Sequence, residues 1–223
     1  MLERYRDIDI CKGDIKFFNE LVQKDIGSVT ETQLTSIAKG IIFFKRVFLC
    51  QDPIYCHYSE CLISDSLNLV HSLGIKSQRL YYTTYRSLIE NFVRVLLKYD
   101  NLNDTGVRNM IKELRNKYGG AGKKFIDYLE GEYGKCCGIV HSNFKANLDL
   151  YSYYEDFLSV DEIKDAEINN YINIFETFCN KSKKFMVEHE FSLVNDCFYN
   201  HKELLSFLIG KKNYTYFESL CKS

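Results

Sequence analysis

Proline is almost missing from this chain. Pro53 is the single one in 223 residues, and glycine occurs only 12 times. Few positions therefore forbid a helix, and long helices are easy to accommodate. An excess of charge is missing too, since 29 basic and 30 acidic side chains leave a formal net charge of -1. That balance gives no global electrostatic case for duplex DNA or a membrane surface, although it is compatible with a local basic groove. No uncharged apolar run approaches the roughly 20 residues of a membrane helix. The opening residues Met1-Leu2-Glu3-Arg4-Tyr5-Arg6-Asp7 lack the apolar centre of a signal peptide, so a cytoplasmic protein is expected.

Missing motifs remove several site classes. The nine cysteines form an odd set with irregular gaps and no C-x2-C pair. They read as reduced, buried small hydrophobes and not as a disulfide framework. Cys50, Cys56, His57 and Cys61 come nearest to a metal set, but their spacing suits structural cysteines better, and no cofactor is expected. The segment from Gly119 to Lys124 follows a helix and lacks the G-x4-G-K-[ST] spacing, which excludes a nucleoside-triphosphate loop. Spacing alone supports no Ser-His-Asp arrangement.

What the chain has is apolar and aromatic mass, at 46% and 15%, enough for one globular domain over residues 1–223. Helical periodicity dominates and no alternating strand emerges, so the fold is expected to be all-α. Helices are predicted over 14–26, from about 31 to Cys50, from Ile54 to Leu73 before Gly74, and from Ser77 to Tyr99. The last carries Tyr81, Tyr85, Leu88, Phe92, Leu96 and Tyr99 as one apolar stripe. A turn at 100–104 leads into a short helix, capped by Asp104 or Thr105 and ending near Tyr118. Gly119–Gly122 is predicted as a loop. A further helix starts near Lys123 and places Ile126, Leu129, Tyr133, Cys136 or Cys137, and Val140 on one face. A polar aromatic loop is predicted from Asn143 to Ser159, a long helix from Val160 towards His189, and two short helices in 195–223.

Two segments carry polar groups on apolar frames. Arg86, Glu90 and Arg94 fall at i, i+4 and i+8 on the central helix. They form either a solvated ladder of weak ion pairs or, on a central helix, charges that need partners. In the second segment, Gly134 and Gly138 each cost a helix about 1 kcal/mol relative to alanine. Keeping both predicts a close helix crossing there, within the chain or between two copies. His141, the one histidine in such a context, then points into the crossing. It is either a structural histidine or a group that changes charge near neutral pH. The Tyr151-Ser152-Tyr153-Tyr154 cluster either stacks on RNA bases or closes a core or a dimer seam.

With Arg86-x3-Glu90 on one helix and Gly138-Ile139-Val140-His141-Ser142-Asn143 ending another, the chain resembles the HEPN superfamily over roughly residues 55–190. The resemblance implies a helical-bundle core, with residues 1–50 and 195–223 as added helices. Such domains are common in prokaryotic defence and toxin–antitoxin systems. Many are metal-independent endoribonucleases with an Arg-x4-6-His motif at a dimer interface, so RNA, a homodimer and a protein partner or antitoxin are the implied partners. His141 matches the motif histidine. The motif arginine is replaced, since positions 134, 135 and 136 are Gly, Lys and Cys. Lys135 would supply charge without the guanidinium fork, and Arg86 would substitute from the neighbouring helix. Glu90 would orient Arg86 or His141, and Tyr133, Ser142, Asn143 and Arg94 would contact substrate. The alternative is a non-catalytic assembly subunit in which Arg86, Glu90 and His141 form a structural network.

Overall fold

The structure is a computed structural model that describes residues 2–27, 29–49, 56–140 and 149–222. It is all-α. Ten helices run in chain order among the described residues: α1 Leu2–Ile26, α2 Glu31–Phe48, α3 Cys56–Ile75, α4 Gln78–Leu97, α5 Val107–Val140, α6 Leu150–Asp161, α7 Ile168–His189, α8 Phe191–Cys197, α9 Lys202–Ile209 and α10 Lys211–Leu220. No helix among these residues is long and apolar enough to cross a membrane.

The expected apolar stripe organises the fold. Tyr81, Tyr85, Leu88, Phe92 and Leu96 of α4 are all buried. Ser77 starts that helix by accepting from the Leu80 amide, and left-handed Lys98 ends it. Consecutive α3, α4 and α5 pack side by side, while α2 packs on α7 and the short C-terminal helices close around α1, α2 and α7. The layers meet in an aromatic cluster. Phe178 of α7 lies 5.4 Å from Phe92, 5.9 Å from Tyr85 and 6.2 Å from Phe44, ring centre to ring centre. Each such side chain stabilises the fold by roughly 1.5–3 kcal/mol through burial. The Tyr81 hydroxyl, fully buried, donates to the Tyr171 carbonyl at 2.7 Å and so is not left unsatisfied.

Several expected boundaries move. The first helix extends back to Leu2, because Ile8, Cys11 and Ile15 supply a buried face that the charged surroundings obscure in the sequence. Gly119 adopts φ 55° and ψ −147°, so α5 is two helical segments that meet at the predicted break, with the loop narrowed to a turn at this glycine. The segments fold against each other, since Arg115 pairs with Asp127 at 2.9 Å and Glu130 at 2.6 Å. Helix α3 runs through Gly74 to Ile75 and stops at left-handed Lys76. The predicted loop over Asn143–Ser159 is corrected for its second half. Residues from Leu150 are helical because the Asp149 carboxylate caps the Ser152 amide at 3.0 Å. The long helix expected from Val160 is accordingly broken, and α7 begins at Ile168 after a 3-10 turn, Asp165–Glu167. The tail from 195 holds the two expected short helices, α9 and α10, and an additional short helix, α8, precedes them from Phe191.

Lys183 of α7 is 4% exposed, and its amine donates to the Leu208 carbonyl near the end of α9 at 3.4 Å. Burial pushes its pKa down, with Cys179 opposing that and the Lys39 charge adding to it. A lysine whose folded pKa lies below its unfolded value of about 10.4 carries its full burial penalty at pH values below the folded pKa. The penalty is relieved as pH rises from the folded towards the unfolded value. Lys183→Met is therefore expected to gain most relative to wild type near neutrality and to lose that advantage towards pH 10. Melting temperatures of the two proteins across that range check it, and a difference independent of pH would contradict it.

Candidate functional site

The segment of α5 after Gly119 runs antiparallel to α4, and two arginines of α4 reach across to it. The Arg79 guanidinium donates to the Val140 carbonyl at 2.7 Å, and Arg86 Nε donates to the Tyr133 hydroxyl at 3.0 Å. The pairs 79/140 and 86/133 are related by a seven-residue step on both helices, so the two rungs stand about 10 Å apart at 1.5 Å per residue. Arg86 also lies 5.2 Å from the centre of the Tyr133 ring. The Tyr133 hydrogen bond raises the Arg86 pKa further, against the opposing effect of burial. Burial raises the Tyr133 pKa in turn, and the guanidinium partly offsets it.

The remaining expected residues divide. Glu90 accepts from Arg94 at 2.9 Å, one turn along its own helix. Arg94 is 8% exposed and also donates to the carbonyls of Asn103 at 2.8 Å and Thr105 at 3.2 Å. Its guanidinium therefore ties the α4–α5 connection to the helix. Lys135 is exposed and pairs with Glu132 at 2.6 Å on its own helix. His141, Ser142 and Asn143 lie outside the described residues. The close crossing expected at Gly134 and Gly138 is not found among the described residues, because a Cβ at either would meet nothing within 4 Å. The close approach occurs elsewhere, where a Cβ on Gly40 of α2 would sit 2.7 Å from Cys179 Cβ of α7.

Beside Arg86 the surface opens into a cleft of about 600 Å³, lined by Arg86, Ser87, Glu90, Asn91 and Arg94 of α4, by Tyr58 of α3 and by the 101–104 loop. Its walls are dense in donors and acceptors. Asn91 donates to Asp65 of α3 at 2.8 Å. Burial raises the Asp65 pKa, although hydrogen bonds from Ser87 and Asn91 act to lower it. Tyr58 donates to the Asn103 carbonyl and lies 4.9 Å beneath the Arg94 guanidinium. A cleft so furnished suits a polar ligand bearing hydroxyl and anionic groups more than an apolar one.

Arg79, Asp65 and Tyr58 are absent from the expectations drawn from spacing. Arg79 sits on the same helix seven residues before Arg86, a visible heptad step. Its acceptor is a backbone carbonyl, which no residue type announces. On the metal question, no group of three or more His, Cys, Asp or Glu among the described residues could hold an ion, and Cys50 and the Cys56 side chain lie outside them. His57 Nε2 and Cys61 Sγ are 3.8 Å apart, and burial raises the Cys61 thiol pKa, with Asp65 and Glu60 adding to it. No family model matches the chain, and neither a curated protein nor a solved structure does.

Proposed function

We propose that the chain is a HEPN-like protein of defence or toxin type that acts on RNA at the α4–α5 face, without a metal. The observation that carries this reading is the pair of α4 guanidinia, Arg79 and Arg86, facing the end of α5 from which the chain leads on to His141. Two cations about 10 Å apart along a helix suit a polyanion with repeated phosphates, and the motif arginine missing from α5 is then supplied from α4. In this mechanism His141 takes the proton of the ribose 2′-hydroxyl or delivers one to the leaving oxygen. Arg86 and Arg79 stabilise charge on the phosphate, with Lys135 as an outer cation. Tyr133 holds the Arg86 fork in orientation, and the neighbouring polar cleft accommodates sugar hydroxyls.

Purified protein incubated with labelled RNA in EDTA tests this reading. Cleavage that disappears in His141→Ala and falls in both Arg79→Ala and Arg86→Ala is the expected result. Wild-type protein that leaves RNA intact, or a His141→Ala variant as active as wild type, overturns the catalytic reading.

A second reading is favoured by one specific observation: Glu90, Arg94, Lys135 and Arg86 all hold partners within the chain. It makes the same fold a non-catalytic assembly subunit with a structural polar network. Arg86→Ala or His141→Ala should then lower the melting temperature or disrupt assembly, and unchanged values in both would exclude it.

A further inference from the structure

Helix α6 is built as an arm. No other helix packs extensively along it among the described residues. Hydrogen bonds define both of its ends. Asp149 caps its start. At its base Asp161 accepts from the Ser77 hydroxyl at 2.7 Å and the Arg79 amide at 2.6 Å, and the Ile163 amide donates to the Lys76 carbonyl at 2.8 Å. Between these anchors Leu150, Tyr151, Tyr154 and Leu158 are exposed by 85%, 73%, 59% and 52%. At about 100° per residue these four fall within one stripe about 100° wide, the pattern of a helix face meant to be covered.

The charge on the arm says what covers it. No lysine or arginine lies between Lys145 and Lys164, while Asp149, Glu155, Asp156, Asp161 and Glu162 all fall there. An acidic, apolar helix is repelled by RNA phosphates and by anionic lipid, and it fits a groove that is apolar at its floor and basic at its rim. Such a groove exists on the far side of this fold. Between α5 and α7, Phe125 and Phe185 form the floor of a pocket of about 330 Å³ edged by Lys124, Lys181 and Lys184, with Glu188 as its one acid. A second apolar groove, at Ile10, Ile42 and Leu204, is edged by Asp7 and Asp14 as well as Lys45 and Arg46, so its charge is already balanced. Two α6 arms placed face to face would set like charges against each other.

We infer that α6 docks into the α5–α7 groove of a second copy of this chain, with Tyr154 and Leu158 on the Phe125–Phe185 floor and Glu155 towards the lysine rim. The arm does not occupy its own groove. Its base is at the α3–α4 junction beside the start of α7, and Ile168 to Lys181 is already about 20 Å of helix. Each chain offers one arm and one groove, so reciprocal docking closes a pair and one-way docking extends a row. The contact is separate from the α4–α5 face and holds or fails independently of the RNA reading.

Light scattering and sedimentation of the full chain at low salt, where charge pairs are least screened, test it. Wild type associates. Leu158→Asp, and separately the double variant Lys181→Glu/Lys184→Glu, each weaken association by about tenfold or more, as removal of an anchor does, with helical content and melting temperature unchanged. Mixing the two variants restores association, because one keeps its groove and the other its arm. Glu155→Lys is the gentler variant; it weakens association and regains it when combined with Lys184→Glu. Monomeric wild type, or association indifferent to Leu158→Asp and Glu155→Lys, overturns the inference.

Discussion

Arg94→Ala is expected to destabilise the fold by about 3–5 kcal/mol, the range for breaking a buried charged network by removing one partner. The guanidinium is 8% exposed and serves three acceptors: the Glu90 carboxylate and the carbonyls of Asn103 and Thr105. Removing it leaves Glu90 without its hydrogen-bonded cation and two loop carbonyls without their donor. It also strips the cation from the Tyr58 ring 4.9 Å away. Arg94→Met separates packing from charge, because it keeps most of the apolar stem and loses all the donors. It is expected to recover only the minor part of the loss. Arg94→Lys should fall short as well, since an ammonium on a shorter stem cannot present the planar fork to acceptors on both the helix and the loop. Urea unfolding followed by circular dichroism measures all three. A loss below about 1 kcal/mol in Arg94→Ala would place this residue among ordinary surface ion pairs. The 101–104 loop walls the polar cleft, so the same variant should also loosen any ligand held beside Arg86.

The contrast between Arg94 and its neighbours shows what a sequence can and cannot disclose here. Helix α4 is legible because its apolar residues recur with the helical period and every one from Tyr81 to Leu96 on that stripe is buried. Spacing also identifies Arg86, Glu90 and Arg94 as a row. It does not say which member is buried, because that depends on where the chain returns after residue 100. Arg79 escaped notice for a related reason, since its acceptor on Val140 is backbone and lies 61 positions away. Helix α6 was hidden differently. Leu150, Tyr151, Tyr154 and Leu158 are exposed, so they give no core pattern to read, and the Asp149 cap that starts the helix is a local signal. A reading based on core periodicity assigns such a segment to a loop. The residue that resemblance singles out most strongly, His141, lies outside the described residues, so the site is delimited by its α4 and α5 walls.

Glycine supplies the second large effect, at a position spacing did not indicate. Gly40→Val is expected to cost about 3 kcal/mol or more, the upper end of overpacking in a tight core. A Cβ at Gly40 would stand 2.7 Å from Cys179 Cβ and 2.9 Å from its Sγ, closer than side chains approach without displacement. Both residues are buried where α2 packs on α7, between the Phe43–Phe44 cluster and Lys183, so the helices cannot part cheaply. The sequence did hold a signal. Gly40 precedes Ile41-Ile42-Phe43-Phe44 in one of its most apolar stretches, where a glycine has neighbours to meet, whereas Gly134 sits between Tyr133 and Lys135 on an exposed face. Gly40→Ala should also destabilise despite alanine's helix preference of about 1 kcal/mol, and Gly134→Ala should stabilise by about 0.5–1 kcal/mol. Pairing Gly40→Ala with Cys179→Gly relieves the contact from its other side, so the double variant should be more stable than the sum of the two single losses implies. Strict additivity of the two, or a Gly134→Ala loss as large as that of Gly40→Ala, would move the close crossing back to α5.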